Sequence, residues 1–198
     1  MHPSDEELVA RSAAGDVGSF NELIVRWERP IYALAYRVLG REEDARDVSQ
    51  ETFLRAFRSI KGFKGEAKFS SWLYRIALNL CRDWMRRDRR AAVLRPADEA
   101  SGLDIEAIDA GEESVETAVV RRDLARAVAR AMAVLPAEQR TAIVLKEYHG
   151  LTFQEIADLQ GCPLSTVKTR LYQGLSVLRR HLERGGIHTP QPVRTAMR

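Results

Sequence analysis

Between positions 69 and 90 the chain carries an apolar row that one backbone conformation gathers onto a single side. Leu73, Ile76, Ala77, Leu80 and Trp84 recur at i, i+3, i+4, i+7 and i+11, which is one face of an α-helix. The row beside it holds Trp72, Arg75, Asn79, Arg82 and Arg86. Cations offset phosphate charge, an indole stacks on a base and an amide can hydrogen-bond a base edge, so this row suits a nucleic-acid strand. A solvated helix face with a tryptophan folded over its edge would use the same residues.

A second helical segment precedes it. Asp47, Glu51, Arg55 and Arg58 line one face with Gln50 beside them, and Val48, Thr52, Phe53, Ala56, Phe57 and Ile60 form the side expected to be buried. If the polar face is only solvated, Glu51 and Arg55 form an i,i+4 pair worth a few tenths of a kcal/mol. The other reading is a protein-docking face close to the strand-facing helix. The loop at 62–71 between the segments is short, polar and glycine-bearing. Its Phe63, set between Gly62 and Lys64-Gly65, either stacks on an extruded base or anchors the loop to the core.

The stretch DVSQETFLRAF followed by FSSWLYRIALNLCRDWMRR resembles the paired core motifs of bacterial extracytoplasmic-function (group IV) RNA polymerase sigma factors. The motifs stand in family order, with a loop of family length between them. The resemblance implies that Asp47, Gln50, Glu51 and Arg55 dock on a coiled coil of the polymerase β′ subunit. It also implies that the loop and the following helix melt and hold the promoter −10 element. The residues then facing DNA are Phe63, Lys64, Ser71, Trp72, Tyr74, Arg75, Asn79, Arg82 and Arg86, with Phe63 capturing a flipped base.

Charge is distributed unevenly along the 198 residues. Positions 1–95 carry 18 basic and 14 acidic residues, positions 96–118 carry none and eight, and positions 119–198 carry 13 and six. Two basic blocks around an acidic strip fit two nucleic-acid-facing domains whose connector avoids phosphates. The expected fold is therefore all-α: a domain at 1–92, an acidic flexible linker at 93–118, a second small helical domain at 119–184, and a disordered tail at 185–198.

In the first domain Ser4 and Glu7 form a capping box opening a helix that ends near Gly15. A second helix is expected from Val17 to Leu39, closed by Gly40, with Pro30 kinking or dividing it. In the second domain Leu124, Val128, Ala131, Met132 and Leu135 form one face. Pro136 then opens a helix running through Arg140 and Tyr148 to Gly150. The segment from Leu151 to Leu182 is a helix-turn-helix pattern. Thr152 and Glu155 make a capping box, Ala157 permits close crossing, Gly161-Cys162-Pro163 turns the chain, and Ser165 can cap the second helix. On that helix Val167, Leu171, Leu175 and Leu178 face inward.

Ser165, Thr169, Tyr172 and Gln173 point the other way, flanked by Thr166, Lys168 and Arg170, a set that suits a major groove. A hairpin used only for protein contacts is the alternative. The region resembles the −35-reading domain of the same sigma family, so the likeness runs from Ser4 to Leu182. One departure stands at Gln173, where the family usually has a basic residue. Gln173 is expected to read an adenine or nothing, with Lys168 and Arg170 on phosphates.

His2, His149, His181 and His188 are scattered, and Cys81 and Cys162 have no metal-ligand spacing. No catalytic, metal or cofactor site is expected. No apolar run reaches membrane-spanning length, and the acidic N-terminus is unlike a secretory signal, so a cytoplasmic protein is expected. The resemblance implies a sigma factor that binds core polymerase through the β′ coiled coil and the β flap, directs it to −10 and −35 elements, and opens promoter DNA. An anti-sigma factor is the further partner it implies. A stand-alone helix-turn-helix regulator and a polymerase-binding decoy are the other readings.

Overall fold

The computed structural model describes residues 3–65, 67–92 and 115–187. Positions 93–114 of the expected acidic linker and 188–198 of the expected tail lie outside the described residues. Every regular element among these residues is helical: α1 Asp5–Ala13, α2 Val17–Leu39, α3 Glu42–Ser59, α4 Phe69–Ala92, α5 Val115–Ala133, α6 Ala137–Ile143, α7 Phe153–Gln160 and α8 Leu164–Arg184. A 3-10 turn, Ile60–Gly62, follows α3, and a π-helical turn, Val144–Tyr148, extends α6.

The helix ends follow from local hydrogen bonding. Ser4 Oγ accepts from the Glu7 amide at 3.2 Å and Glu7 Oε2 from the Ser4 amide at 2.9 Å, completing the capping box. Asp16 caps α2 by accepting from the amides of Gly18 and Ser19 at 2.9 and 3.2 Å. The Ser19 hydroxyl and these amides hold its carboxyl below the usual carboxylate range. Gly40, at φ 84°, ends α2 in the left-handed region. Pro30 neither ends nor divides α2, which runs through it for 23 residues. Leu23, Ile31, Leu34 and Val38 are wholly buried on both sides of the proline, and that packing outweighs the lost backbone bond.

Helices α1–α4 enclose these side chains with Leu8, Val48, Leu73 and Leu78. Helices α5–α8 enclose Ala129, Leu145, Ile156 and Val167. The two sets meet through α2 and α4, so their apolar side chains form one continuous core. Three expectations are corrected. Phe57 is 47% exposed, set edge-on to Phe20 at 5.0 Å at the mouth of an apolar hollow. Leu124 is 45% exposed, at the rim of a hollow between α5 and the end of α8. Helix α5 begins at Val115, within the stretch expected to be linker; Ala and Arg recur along it, and both favour helix.

A close approach of α6 to α8 sets the geometry of the C-terminal set. A Cβ added at Gly174 would lie 2.9 Å from Ile143 Cδ1 and 3.3 Å from Gln139 Cβ. Gly174→Val is therefore expected to destabilise the C-terminal helices by about 1–3 kcal/mol through overpacking, despite the gain in helix propensity. Thermal denaturation checks this, and an unchanged midpoint would mean that α6 and α8 do not touch there.

Candidate nucleic-acid interface

Helix α4 carries the first candidate surface. At its head Phe63, Phe69 and Trp72 cluster, with ring centroids 5.0 Å apart for Phe63–Trp72 and 5.8 Å for Phe69–Trp72. Phe69 is buried, whereas Phe63 and Trp72 are half-buried. Phe63 thus anchors the loop while keeping part of its ring at the surface. Lys64, Arg75, Asn79, Arg82 and Arg86 are exposed and Ser71 is half-buried. Within the row, Arg82 donates to Asn79 Oδ1 at 2.9 Å and Arg86 to Asp83 Oδ1 at 2.5 Å. Tyr74 departs from expectation. It is 5% exposed, set edge-on to Trp27 at 5.8 Å, and its hydroxyl meets His149 Nδ1 at 3.0 Å. Burial pushes the phenol up to about 12. A ring held this way lies between α2 and the C-terminal helices and not at the surface.

Helix α3 carries the second surface. Asp47, Gln50 and Arg55 are exposed, and Arg55 donates to Glu51 at 2.7 Å. Gln50 and Leu54 stand between two hollows. One is apolar, with Phe20, Ile24 and Phe57; the other runs toward Leu80, Trp84 and Arg87 on α4. The exposed Phe57 and Leu54 therefore border the polar residues that sequence reading singled out.

The third surface is α8. Tyr172 is 62% exposed, and Ser165, Lys168, Thr169 and Gln173 are exposed beside a half-buried Thr166. Lys168 and Lys146 both approach the Phe153 ring, at 5.6 and 5.0 Å from its centroid. Gln173 Oε1 accepts from Gln139 at 3.5 Å. One expectation fails here. Ser165 does not cap α8, because Pro163 occupies the N-cap position and the helix starts at Leu164. Arg170 turns back to donate to Gln160 Oε1 at 2.7 Å and Cys162 Sγ at 3.4 Å, bracing the helix-turn-helix turn. The expected capping box of Thr152 and Glu155 is present.

Sequence reading missed the contact between the two helical sets. Arg82 donates to the Leu159 carbonyl in the last turn of α7 at 3.0 Å, and Arg140 donates to the Val38 carbonyl in the last turn of α2 at 2.9 Å. Arg37 lies 4.3 Å from the centre of the Tyr148 ring, and Lys68 reaches Glu155 at 3.7 Å. His149 lies between them, with Nε2 shielded from solvent and without a hydrogen-bond partner. Burial, then the nearby Arg37 charge, lowers its pKa to about 4. A single histidine after a glutamate-tyrosine pair carries no sequence pattern that announces such a contact. Among the described residues no cluster of His, Cys, Asp or Glu could hold a metal ion, and no helix is long and apolar enough to cross a membrane.

Residues 23–91 match the family described as Sigma-70 region 2, and residues 125–178 match Sigma-70, region 4. The chain is 31% identical over 185 residues to the RNA polymerase sigma-H factor of Pseudomonas aeruginosa, covering 90% of this chain and 94% of that one. It is 32% identical to the ECF RNA polymerase sigma-E factor of Haemophilus influenzae, covering 91% and 96%. Among solved structures, CnrH in complex with the cytosolic domain of CnrY is similar, with a TM-score of 0.66, 28% identity, and coverage of 92% and 99%. The fold is also that of the sigma factor RpoE solved with the anti-sigma factor NepR from Bartonella quintana, with a TM-score of 0.69, 22% identity, and coverage of 84% and 98%.

The different placements of Lys168 and Arg170 generate a prediction. Lys168→Ala should reduce the salt slope of duplex-DNA binding by about one unit with little loss of thermal stability. Arg170→Ala should lower the denaturation midpoint and leave that slope unchanged. Fluorescence anisotropy across a salt series, with circular dichroism melts, checks both; a reduced slope in the Arg170 variant would place its guanidinium on phosphate.

Proposed function

The chain belongs to the ECF family of RNA polymerase sigma factors, and on that premise we propose a division of labour among its three surfaces. The protein is a promoter-directing subunit: it joins core polymerase, brings it to −10 and −35 elements, and opens DNA. In this division α3 docks on the β′ coiled coil through Asp47, Gln50, Glu51 and Arg55. The head and exposed row of α4 hold the opened −10 strand, and α8 reads the −35 duplex through Lys168, Thr169, Tyr172 and Gln173.

The observation that carries this reading is the row on α4. Arg75, Asn79, Arg82 and Arg86 follow the half-exposed rings of Phe63 and Trp72 along one side of a helix whose opposite side is core. Stacking rings followed by cations fit single-stranded nucleic acid. A stand-alone duplex-binding regulator has no use for such a row outside its helix-turn-helix. The apolar hollow beside Gln50 supports the docking assignment, because a coiled coil presents both apolar and charged side chains to its partner.

The corresponding domains are 1–92 and 119–184, with the linker at 93–118 shortened by the early start of α5. Opening is driven by binding energy alone, with no catalytic residue, metal or cofactor of the chain's own. Cytoplasmic residence follows from the location of the polymerase. RpoE was solved with an anti-sigma factor, and this chain is proposed to have such a partner too, as well as the polymerase β flap for α5–α8.

Two variants separate docking from opening. Glu51→Lys should weaken binding to core polymerase while the denaturation midpoint changes little. Phe63→Ala should bind core normally yet open promoters several-fold less by permanganate reactivity, since a base–aromatic stack is worth about 1–3 kcal/mol. Normal core binding by the first variant would refute the docking assignment. Normal opening by the second would leave Phe63 as a loop anchor only.

A further inference from the structure

We propose that Gln139 of α6 is a specificity-determining residue of the −35 surface: it holds the carbonyl of Gln173, so that Gln173 offers a base edge only its amide hydrogens and favours guanine. The inference deepens the proposed role of α8 and rests on the reading of Gln173 as a base-facing residue.

A glutamine amide has two unlike poles, an oxygen that accepts and an NH2 group that donates. A free glutamine in the major groove uses both on adenine, donating to N7 and accepting from the N6 amino group. Guanine presents two acceptors there, N7 and O6, whereas cytosine presents a donor, its N4 amino group. Which base suits Gln173 therefore turns on which pole is left to face the groove.

Three observations put Gln139 in control of that pole. First, Gln139 Nε2 donates to Gln173 Oε1 at 3.5 Å, joining residues 34 positions apart in the chain. The Oε1 atom of Gln139 is shielded from solvent and has no hydrogen-bond partner, so Nε2 is the atom that Gln139 presents to α8. Second, Gln139 is closely set against α8. A Cβ added at Gly174 would lie 3.3 Å from Gln139 Cβ and 2.9 Å from Ile143 Cδ1, so the two helices approach most closely at the position next to Gln173. Third, the residue before Gln139 is tied down as well. The Glu138 carbonyl accepts from Gln160 Nε2 at 3.3 Å, and Gln160 Oε1 accepts from Arg170 at 2.7 Å. The first turn of α6 is thus joined to the helix-turn-helix turn through Glu138 and to α8 through Gln139.

Gln139 is half-buried and Gln173 exposed, so the pair stands at the edge of the surface with the reading residue outermost. Alone, Gln173 is free to turn either pole outward. Paired, it keeps its oxygen on Gln139. Its N–H groups then meet N7 and O6 of guanine, but set a donor against the N6 amino group of adenine. Holding the side chain in place beforehand also reduces the rotamer freedom lost on binding.

The test uses the full chain with core polymerase and a promoter library randomised at the −35 element, with base preference read by sequencing the bound DNA. Wild type is compared with Gln173→Ala, Gln139→Met and Gln139→Glu, and circular dichroism melts verify that each is folded. Gln173→Ala marks the position that residue 173 reads, because preference there should flatten. At that position wild type should favour guanine. Gln139→Met keeps an unbranched side chain but no donor, so both poles of Gln173 are freed. The guanine-to-adenine ratio should then fall about fivefold or more, within what one base contact discriminates. Gln139→Glu offers only acceptors, so Gln173 turns its NH2 inward and its oxygen outward, and preference should move toward cytosine by a similar factor. A purely structural role for Gln139 predicts no such different shifts at one position. Guanine preference retained in the folded Gln139→Met variant overturns the control by Gln139 while the reading of Gln173 stands, and that variant decides alone if Gln139→Glu does not fold. A wild-type preference for another base at that position overturns it too. If Gln173→Ala flattens no position, the base-facing reading of Gln173 fails and the proposal falls with it.

Discussion

The arrangement of this protein depends on a reciprocal pair of arginines, each reaching across to the carboxyl end of a helix in the other half of the chain. Arg82 of α4 meets the Leu159 carbonyl at the end of α7, and Arg140 of α6 meets the Val38 carbonyl at the end of α2. The last carbonyls of a helix have no partner within it and carry the negative end of its dipole, so a guanidinium satisfies both needs at once. Arg140 also holds the carbonyls of Ala133 and Leu135 at 3.1 Å, tying α5 to the same point. Burial lowers its pKa, but a guanidinium stays charged at any physiological pH. The junction is thus polar at its edges and apolar within.

Helix α4 is where the competing demands meet. Its inner side is wholly buried at Leu73 and Ala77, and Cys81 there is so enclosed that its thiol is pushed up to about 12. The outer side presents cations and half-exposed rings, the features on which the proposed strand-holding role rests, and the flank beside Tyr74 receives His149. One helix thus packs in the core, meets the C-terminal helices and keeps a polar row at the surface. Its N-terminal neighbour α3 carries the proposed docking residues on a separate helix.

Much of this was legible in the sequence where the cause is local. The boxes of Ser4 with Glu7 and Thr152 with Glu155 follow from i,i+3 spacing, and Gly40 ends α2 because its backbone adopts a positive φ. The polar row on α4 follows from helical period. What escaped is long-range. Tyr74 sits one position from the exposed row, and Trp27 from α2 and His149 from 75 positions away enclose it. Nothing in the neighbours of Arg170 shows that Gln160 and Cys162 turn to receive it. Gly174 passed unremarked because an interior helix glycine gains its meaning only when α6 lies against it. Phe57 was assigned to the core by period alone, yet it lies on the outer edge of a helix whose Ala56 and Ile60 are buried.

The central claim is that this chain confers promoter recognition on core polymerase through two DNA-reading surfaces joined in one molecule. Transcription by purified core polymerase on a genomic promoter library, with and without the full-length protein, tests it most directly. The account predicts new transcripts whose start sites share both an upstream −35 and a −10 sequence, appearing only when the protein is added. Transcript patterns identical to those of core polymerase alone would contradict it.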